Sequence, residues 1–367
     1  TGIMALRGQN NVQGASDLGP YPASLPGYQS VLDPNARAKF QKAWGVRISA
    51  KPGLKSVEML DECRKGNFKG LYVLGYDIAH TDPNLHHVWK ALESVEFLVV
   101  QDIFHTETTR FAHVILPGAS FAEKDGTFTN GERRVQRVRK AIEPIPGLAE
   151  WQVISMLSTL MGYPMHYYHP SEIMDEIASL VPIYGGISYA RIEKQGIQWP
   201  CPTKDHPGTT TLYTDLFSRP GGRAKFIALD HRGSGEVPDG EYPFVLITGR
   251  RREHYNNGSM TTRVPGILEL VPEELIEISP EDAMALEIKD GEWARVSSRR
   301  GEIEVKVKVT DRSQAGSVFL GFHHRNAVTN ILTSEHRDPI TGTPEYKACA
   351  VRVERLQNIA VPSAVDS

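Results

Sequence analysis

Between residues 71 and 116, three short apolar runs alternate with two helical segments, and this alternation limits the fold more than any other feature of the chain. The runs are 71–74, 95–100 and 114–116. Between them, 83–93 reads as a helix opening at a proline and 107–112 as a shorter one. Uninterrupted apolar strands joined by helices predict a parallel sheet covered on both faces, because such strands have no polar side to turn to water. Ligands of these sheets bind beyond the carboxyl ends of the strands. Those ends carry Gly75-Tyr76-Asp77, Gln101-Asp102 and Pro117-Gly118.

The flanking sequence differs on the two sides. Residues 1–32 have loop composition, rich in Gly, Pro, Asn, Gln and Ser. Asp33-Pro34 then reads as an N-cap with proline in the first turn, closed by Gly45, and a second helix is expected over 54–64, ending near Gly66. Helices are also expected over 150–161 and over 171–180, the latter capped by Ser171. The arginine-rich stretch 132–140 reads as a solvated face or as a wall beside an anionic cofactor. From about residue 222 the pattern turns to short strands at 244–247, 275–278, 294–298, 303–309, 317–322 and 348–353. One small helix at 280–286 is capped by Ser279, and Asp290-Gly291 marks a turn. Such a set suggests a closed barrel rather than a sandwich. The chain is thus expected to divide into an α/β domain (1–120), a mixed connecting region (121–215) and a β-barrel domain (216–367).

Composition excludes several classes. A formal charge of −3 leaves no footprint for nucleic acid, and no apolar run approaches a membrane span. The three cysteines, Cys63, Cys201 and Cys349, lie far apart without a CxxC pair. No disulfide framework, zinc site or iron–sulfur site is therefore expected from this chain, and no residue of it is assigned to a metal. GxGxxG and GxxxxGK[ST] are both absent, which argues against an ordinary NAD domain or a P-loop NTPase. His166 and His169 form an HxxH pair without a supporting carboxylate, His86-His87 read as helix surface, and His323-His324 follow a barrel strand and are candidates to line a pocket.

The segment Arg7-Gly8-Gln9-Asn10-Asn11-Val12-Gln13-Gly14-Ala15 packs one arginine, four amides and two glycines into nine residues. Glycine lets backbone approach a ligand, amides match the edge of a polar heterocycle, and a guanidinium presents a planar fork to a carboxylate. This segment resembles the RGQNNVQGA signature of molybdenum and tungsten formate dehydrogenases, enzymes carrying a bis-pterin guanine dinucleotide cofactor. The resemblance continues through Val99–Phe104, Val114–Pro117, Glu123–Asn130 and Glu132–Gln136, then Leu246–Arg250, His254-Tyr255, Gly258–Thr261, Asn330, Asp338-Pro339 and Pro344–Lys347. About nine-tenths of the chain is covered in order.

The resemblance implies a molybdopterin oxidoreductase fold, incomplete at the N-terminus, with a Rossmann-like α/β domain and a double-psi-type β-barrel. It implies that Arg7 is the catalytic arginine holding formate, which leaves as carbon dioxide, or the reverse. Gly8, Gln9, Asn10, Gly75, Asp77, Gln101, Asp102 and Pro117, and in the barrel Thr248, Arg250, His254, Asn256, Ser259, Asn330, Tyr346 and Lys347, are the positions implied to line two molybdopterin guanine dinucleotides around molybdenum or tungsten. A cysteine or selenocysteine ligand and a 4Fe-4S cluster are implied in a missing N-terminal portion or a separate subunit. Electron-transfer subunits are implied as partners and the cytoplasm as the compartment. Two departures stand out: Tyr76 replaces the glutamate of the family's turn after the first strand, so no carboxylate contact is expected there, and Ser16 stands where cysteine is common. A non-formate oxyanion oxidoreductase, or a scaffold subunit like the large subunit of respiratory complex I, are the competing readings. The signature loop argues against the first and the intact barrel positions against the second.

Overall fold

The computed structural model describes residues 4–356, so the outer ends of the first and last expected domains lie outside the described residues. Two compact units form, and they interleave: residues 1–56 with 117–229, and 57–116 with 230–367. The sheet segment thus groups with the barrel, a division different from three consecutive segments split at 120 and 215.

In the first unit, helix Pro34–Trp44 starts where the sequence predicts. Asp33 accepts a hydrogen bond from the Asn35 N–H at 2.9 Å, Pro34 supplies its fixed φ, and Gly45 ends the helix at φ 67°. Helix Glu150–Leu160 also matches. Helix Pro170–Leu180 begins one residue early: His169, not Ser171, is the cap, its ring Nδ1 accepting from the Ser171 N–H at 3.1 Å. Pro170, whose missing N–H needs no partner in the first turn, sets that boundary.

The arginine-rich stretch is a strand. Gly126–Thr129, Arg134–Val138 and Ile197–Gln198 form an antiparallel sheet, and Val135 is buried. Its arginines are held inside the unit. Arg133 donates to the carbonyls of Trp199, Thr209 and Thr210. Arg137 pairs with Asp125 and Glu193 and lies 4.0 Å from the centre of the Tyr189 ring. The stretch is therefore neither a freely solvated face nor a surface left open for an anion.

The second unit contains a three-stranded sheet of Gly70–Leu74, Phe97–Asp102 and Val114–Pro117, with the first two parallel and Tyr72 opposite Val99. One face packs Val73, Leu98 and Val100 against helices Ser56–Arg64 and Leu85–Glu93. The second helix starts at Leu85 rather than Pro83, after Asn84 in the left-handed region at φ 50°, and the segment after Glu107 is a 3-10 turn, Thr108–Phe111. The other face is not covered as expected: Tyr72 and Leu74, which alternate with Val73, are 36% and 45% exposed.

The barrel closes with six strands in the order Leu275–Ile278, Glu302–Val309, Trp293–Ser297, Cys349–Arg355, Phe244–Gly249 and Ser317–Gly321. Two neighbouring pairs are parallel, Leu275–Ile278 with Glu302–Val309 and Phe244–Gly249 with Ser317–Gly321. Alternation puts Ile303, Val305 and Val307 in the barrel core beside Leu246, Ile276, Val296, Leu320 and Val351. Ser279 caps Pro280–Ala285 by accepting from the Asp282 N–H at 3.0 Å. Among the described residues no helix is long and apolar enough to cross a membrane.

Candidate functional site

The signature loop lies in the first unit and divides its side chains between outside and inside. Arg7, Gly8 and Asn10 are exposed, and Gln9 keeps a buried Oε1 without a hydrogen-bond partner. Asn11 and Gln13 turn inward. Asn11, in the left-handed region at φ 56°, accepts from the Thr129 N–H at 2.9 Å, and Gln13 donates to Asp17 at 2.8 Å. Gly14 is required here, because a Cβ on it would lie 2.2 Å from Asn11 Oδ1. The loop therefore offers the Arg7 guanidinium and the Asn10 amide outward, with Gln9 half-buried beside them, from a base that the Asn11 and Gln13 amides fasten.

In the second unit the strand ends carry a different chemistry. Gly75 takes φ 61° and donates its N–H to the Gln101 carbonyl at 2.8 Å. Asp77, buried, accepts through Oδ1 from the backbone N–H and hydroxyl of Thr108 at 2.9 and 2.8 Å, while its Oδ2 is buried without a partner. Gln101 is fully buried and accepts from the Tyr72 hydroxyl. Asp102 accepts from the Ile103 N–H at 2.7 Å, and burial raises its carboxyl above the ordinary range. Pro117 ends its strand where the chain crosses from one unit to the other. Tyr76 donates its hydroxyl to Asp82, a buried carboxyl that sequence reasoning missed; burial pushes Asp82 up to about 6.

The barrel positions fall into two groups. Thr248, Tyr346 and Lys347 brace one another: the Thr248 hydroxyl donates to the Tyr346 carbonyl at 2.7 Å, and Lys347 donates to the Thr248 carbonyl at 2.8 Å. Burial, with Arg250 nearby, holds the Lys347 ammonium below its ordinary value. Arg250 is exposed. Asn256 sits in the left-handed region at φ 53°, and the Ser259 N–H donates to Asn257 at 3.1 Å.

The second group converges on the strand ends. Asn330 is buried and donates to the carbonyls of His80 and Thr81 at 3.2 and 2.8 Å, leaving its own Oδ1 buried and unpaired. His254 stacks on His323 with ring centres 5.1 Å apart and meets His324 edge-on at 4.8 Å. All three are buried. Burial first and the neighbouring His254 second push His323 down to about 3 and His324 down to about 4, so both are neutral near pH 7. His80, also buried, is lowered for the same leading reason. His323 and His324, which the sequence offers as candidates to line a pocket, are buried beside His254 in this unit. His80 and Asp82 carry no periodic or motif signal that marks them in advance, whereas Thr106, with Thr108, belongs to the run after Val99–Phe104 that resembles the family.

Residues 4–160 match the Molybdopterin oxidoreductase family, and residues 244–350 match the molydopterin dinucleotide binding domain. The chain belongs to the molybdopterin oxidoreductases. It is 46% identical over 360 residues to the F420-dependent formate dehydrogenase subunit alpha of Methanocaldococcus jannaschii, covering 97% of this chain and 53% of that protein. It is 42% identical over 361 residues to formate dehydrogenase H of Escherichia coli, covering 97% and 50%. The chain therefore spans about half the length of the curated relatives it matches. Acetylene hydratase from Pelobacter acetylenicus superposes with a TM-score of 0.64 at 16% identity, over 88% of this chain and 50% of that one, a likeness of fold alone.

The second unit of this molybdopterin oxidoreductase chain fits a polar dinucleotide. Buried polar atoms in a folded protein are almost always paired, so a local concentration of unpaired ones marks a place for ligand or water. Here Asp77 Oδ2, His80 Nε2, Thr106 Oγ1, His254 Nε2, His324 Nε2 and Asn330 Oδ1 are all buried without partners. Imidazoles, an amide oxygen, a hydroxyl and a carboxyl group provide the mixed donors and acceptors that hydroxyls and heterocycle edges require. Among the described residues no group of three His, Cys, Asp or Glu side chains is arranged to hold a metal ion.

Proposed function

We propose that this chain is part of a formate dehydrogenase catalytic subunit that oxidises formate to carbon dioxide, or the reverse. The observation that carries the reading is the outward-facing Arg7 on a fastened RGQNNVQGA loop, in a chain 42% and 46% identical to relatives named as formate dehydrogenases. Oxidation of formate releases carbon dioxide, a proton and two electrons; a bis-pterin molybdenum or tungsten centre supplies that redox chemistry when bound. Arg7 would hold the carboxylate by a charge-assisted fork, and Gly8, Gln9 and Asn10 would face the cofactor beside it.

One dinucleotide arm would run over the strand ends, with Gly75 giving backbone room, Asp77 and Asp102 accepting from hydroxyls or a guanine N–H edge, and Gln101 and Pro117 shaping the wall. Arg250 and Lys347 suit the pyrophosphate or the pterin's polar edge. His254, Asn256, Ser259 and Asn330, with Thr248 and Tyr346 bracing their surroundings, would line the pterins. The parallel pairings of the barrel support a double-psi-type connection, and the strand–helix order of the sheet supports a Rossmann-like one. We further propose that a cysteine or selenocysteine ligand and a 4Fe-4S cluster come from polypeptide outside these residues, and that separate subunits accept the electrons. The three cysteines are free and buried, which suits a reducing compartment such as the cytoplasm.

Arg7→Ala in the full-length enzyme tests the reading. Formate turnover should fall by on the order of a hundredfold or more while molybdenum or tungsten and pterin content stays at the parent level. Formate kinetics equal to the parent's would remove Arg7 from the site.

A further inference from the structure

Asp17 lies ten residues after the signature arginine and is completely buried. No salt bridge reaches it among the described residues. Instead four neutral donors converge on its two oxygens. Gln13 Nε2 and the Tyr28 hydroxyl reach Oδ1 at 2.8 and 2.7 Å; the Tyr184 hydroxyl and Trp199 Nε1 reach Oδ2, each at 2.7 Å. The Asp17 carbonyl also accepts from the Gly27 N–H at 2.7 Å. A carboxylate has about four lone-pair sites, so this one is saturated. Four hydrogen bonds hold its oxygens directly, each stronger than one to a neutral acceptor, and the Arg133 guanidinium, stacked over Trp199, adds a longer-range attraction.

The donors come from places far apart in the sequence, separated from Asp17 by up to 182 residues, whereas Asp17 itself ends the short helix Val12–Asp17 that the signature loop runs into. The helix is continuous with the loop through Asn11, fastened to Thr129, and through Gly14, which leaves Asn11 its space. Loosening Asp17 therefore loosens the segment from which Arg7 projects. We propose that Asp17 is a positioning residue: its saturated carboxylate anchors the arginine loop to the first unit and so fixes where the substrate guanidinium stands. This rests on the assignment of Arg7 above.

The variants discriminate by chemistry. Asp17→Ala removes all four acceptor contacts. Asp17→Asn retains an oxygen for Trp199, which can only donate, and for Tyr184, while its amide N–H can donate to a rotated Tyr28 hydroxyl or a flipped Gln13. In full-length Asp17→Ala, amide hydrogen exchange over residues 9–19 should quicken about tenfold or more, and KM for formate should rise about tenfold with kcat within about threefold. Asp17→Asn should recover most of both. A merely structural loss lowers kcat through inactive protein and leaves KM unmoved. Should Asp17→Ala not accumulate folded, Tyr184→Phe and Trp199→Phe, each deleting one donor, should move exchange and KM in the same direction by smaller factors. Unchanged exchange, or quickened exchange with parental KM, overturns the proposal. If instead Arg7→Ala keeps normal formate kinetics, the functional reading fails, and the exchange data alone still decide whether Asp17 anchors the loop.

Discussion

Replacing Asp82 by asparagine should stabilise the ligand-free protein at neutral pH, and by an amount that depends on pH in a defined way. Asp82 is 3% exposed, and burial raises its carboxyl from 3.8 to about 6 against the opposing effect of the Tyr76 hydroxyl. Below about pH 3.8 the group is protonated in folded and unfolded chains alike. Between 3.8 and about 6 the folded chain keeps a proton that the unfolded chain has lost, so stability falls as pH rises. Above about 6 the full penalty is present, about 3 kcal/mol at neutral pH. Asparagine keeps an oxygen for the Tyr76 hydroxyl and has no charge to bury. The difference between Asp82→Asn and parent, from urea denaturation, should therefore be about 2–3 kcal/mol more favourable to the variant at pH 7.5 than at pH 4. Any constant cost of the amide cancels in that comparison. A difference that stays the same across the two pH values would show that the buried carboxyl is not strained by its surroundings.

His323 and His324 act with the opposite sign. Both titrate well below the ordinary imidazole range in the folded chain, so their contribution is intact above about pH 6.5 and is lost as pH falls toward 4 and then 3. The His323→Gln/His324→Gln variant should lose less stability than the parent between pH 7 and pH 5, by about 2 kcal/mol per histidine in urea melts; parallel pH curves would contradict this. Arg251 holds the buried Glu274 through Nη2 at 2.6 Å and also pairs with Glu277. Arg251→Met should cost about 3–5 kcal/mol by leaving that carboxylate with little beyond the Gly321 N–H, and adding Glu274→Gln should recover part of it. A double variant no more stable than the single one would argue against the charge as the cause.

What the sequence reveals here depends on whether the signal is local. Asp33-Pro34 with Gly45, and Ser279 before Pro280, mark helix ends because capping involves neighbours in the chain. The Ile303, Val305, Val307 alternation exposes a barrel strand for the same reason. Arg134–Val138 escapes notice because its arginines mask the alternation, and their partners at Asp125, Glu193 and the Gly196 carbonyl lie elsewhere in the sequence. His169 as a cap goes unread because ring nitrogens seldom serve in place of serine or aspartate oxygens. Of the site, Asp77 and Asp102 follow from strand ends, and Arg7 from a motif. Asp82 and His80 are legible only in three dimensions: Asp82 is a buried carboxyl that the Tyr76 hydroxyl reaches, and His80 keeps a buried Nε2 without a partner.

The interleaving of the two units has a consequence for synthesis on the ribosome. The Asn330 bond to the His80 carbonyl spans 250 residues of sequence. The segment 57–116 therefore emerges long before the barrel that completes its unit, while the intervening residues 117–229 belong to the other one. During that interval the nascent sheet presents Tyr72 and Leu74 together with every surface the barrel later covers, so this stretch of translation is where a holdase chaperone has most to protect.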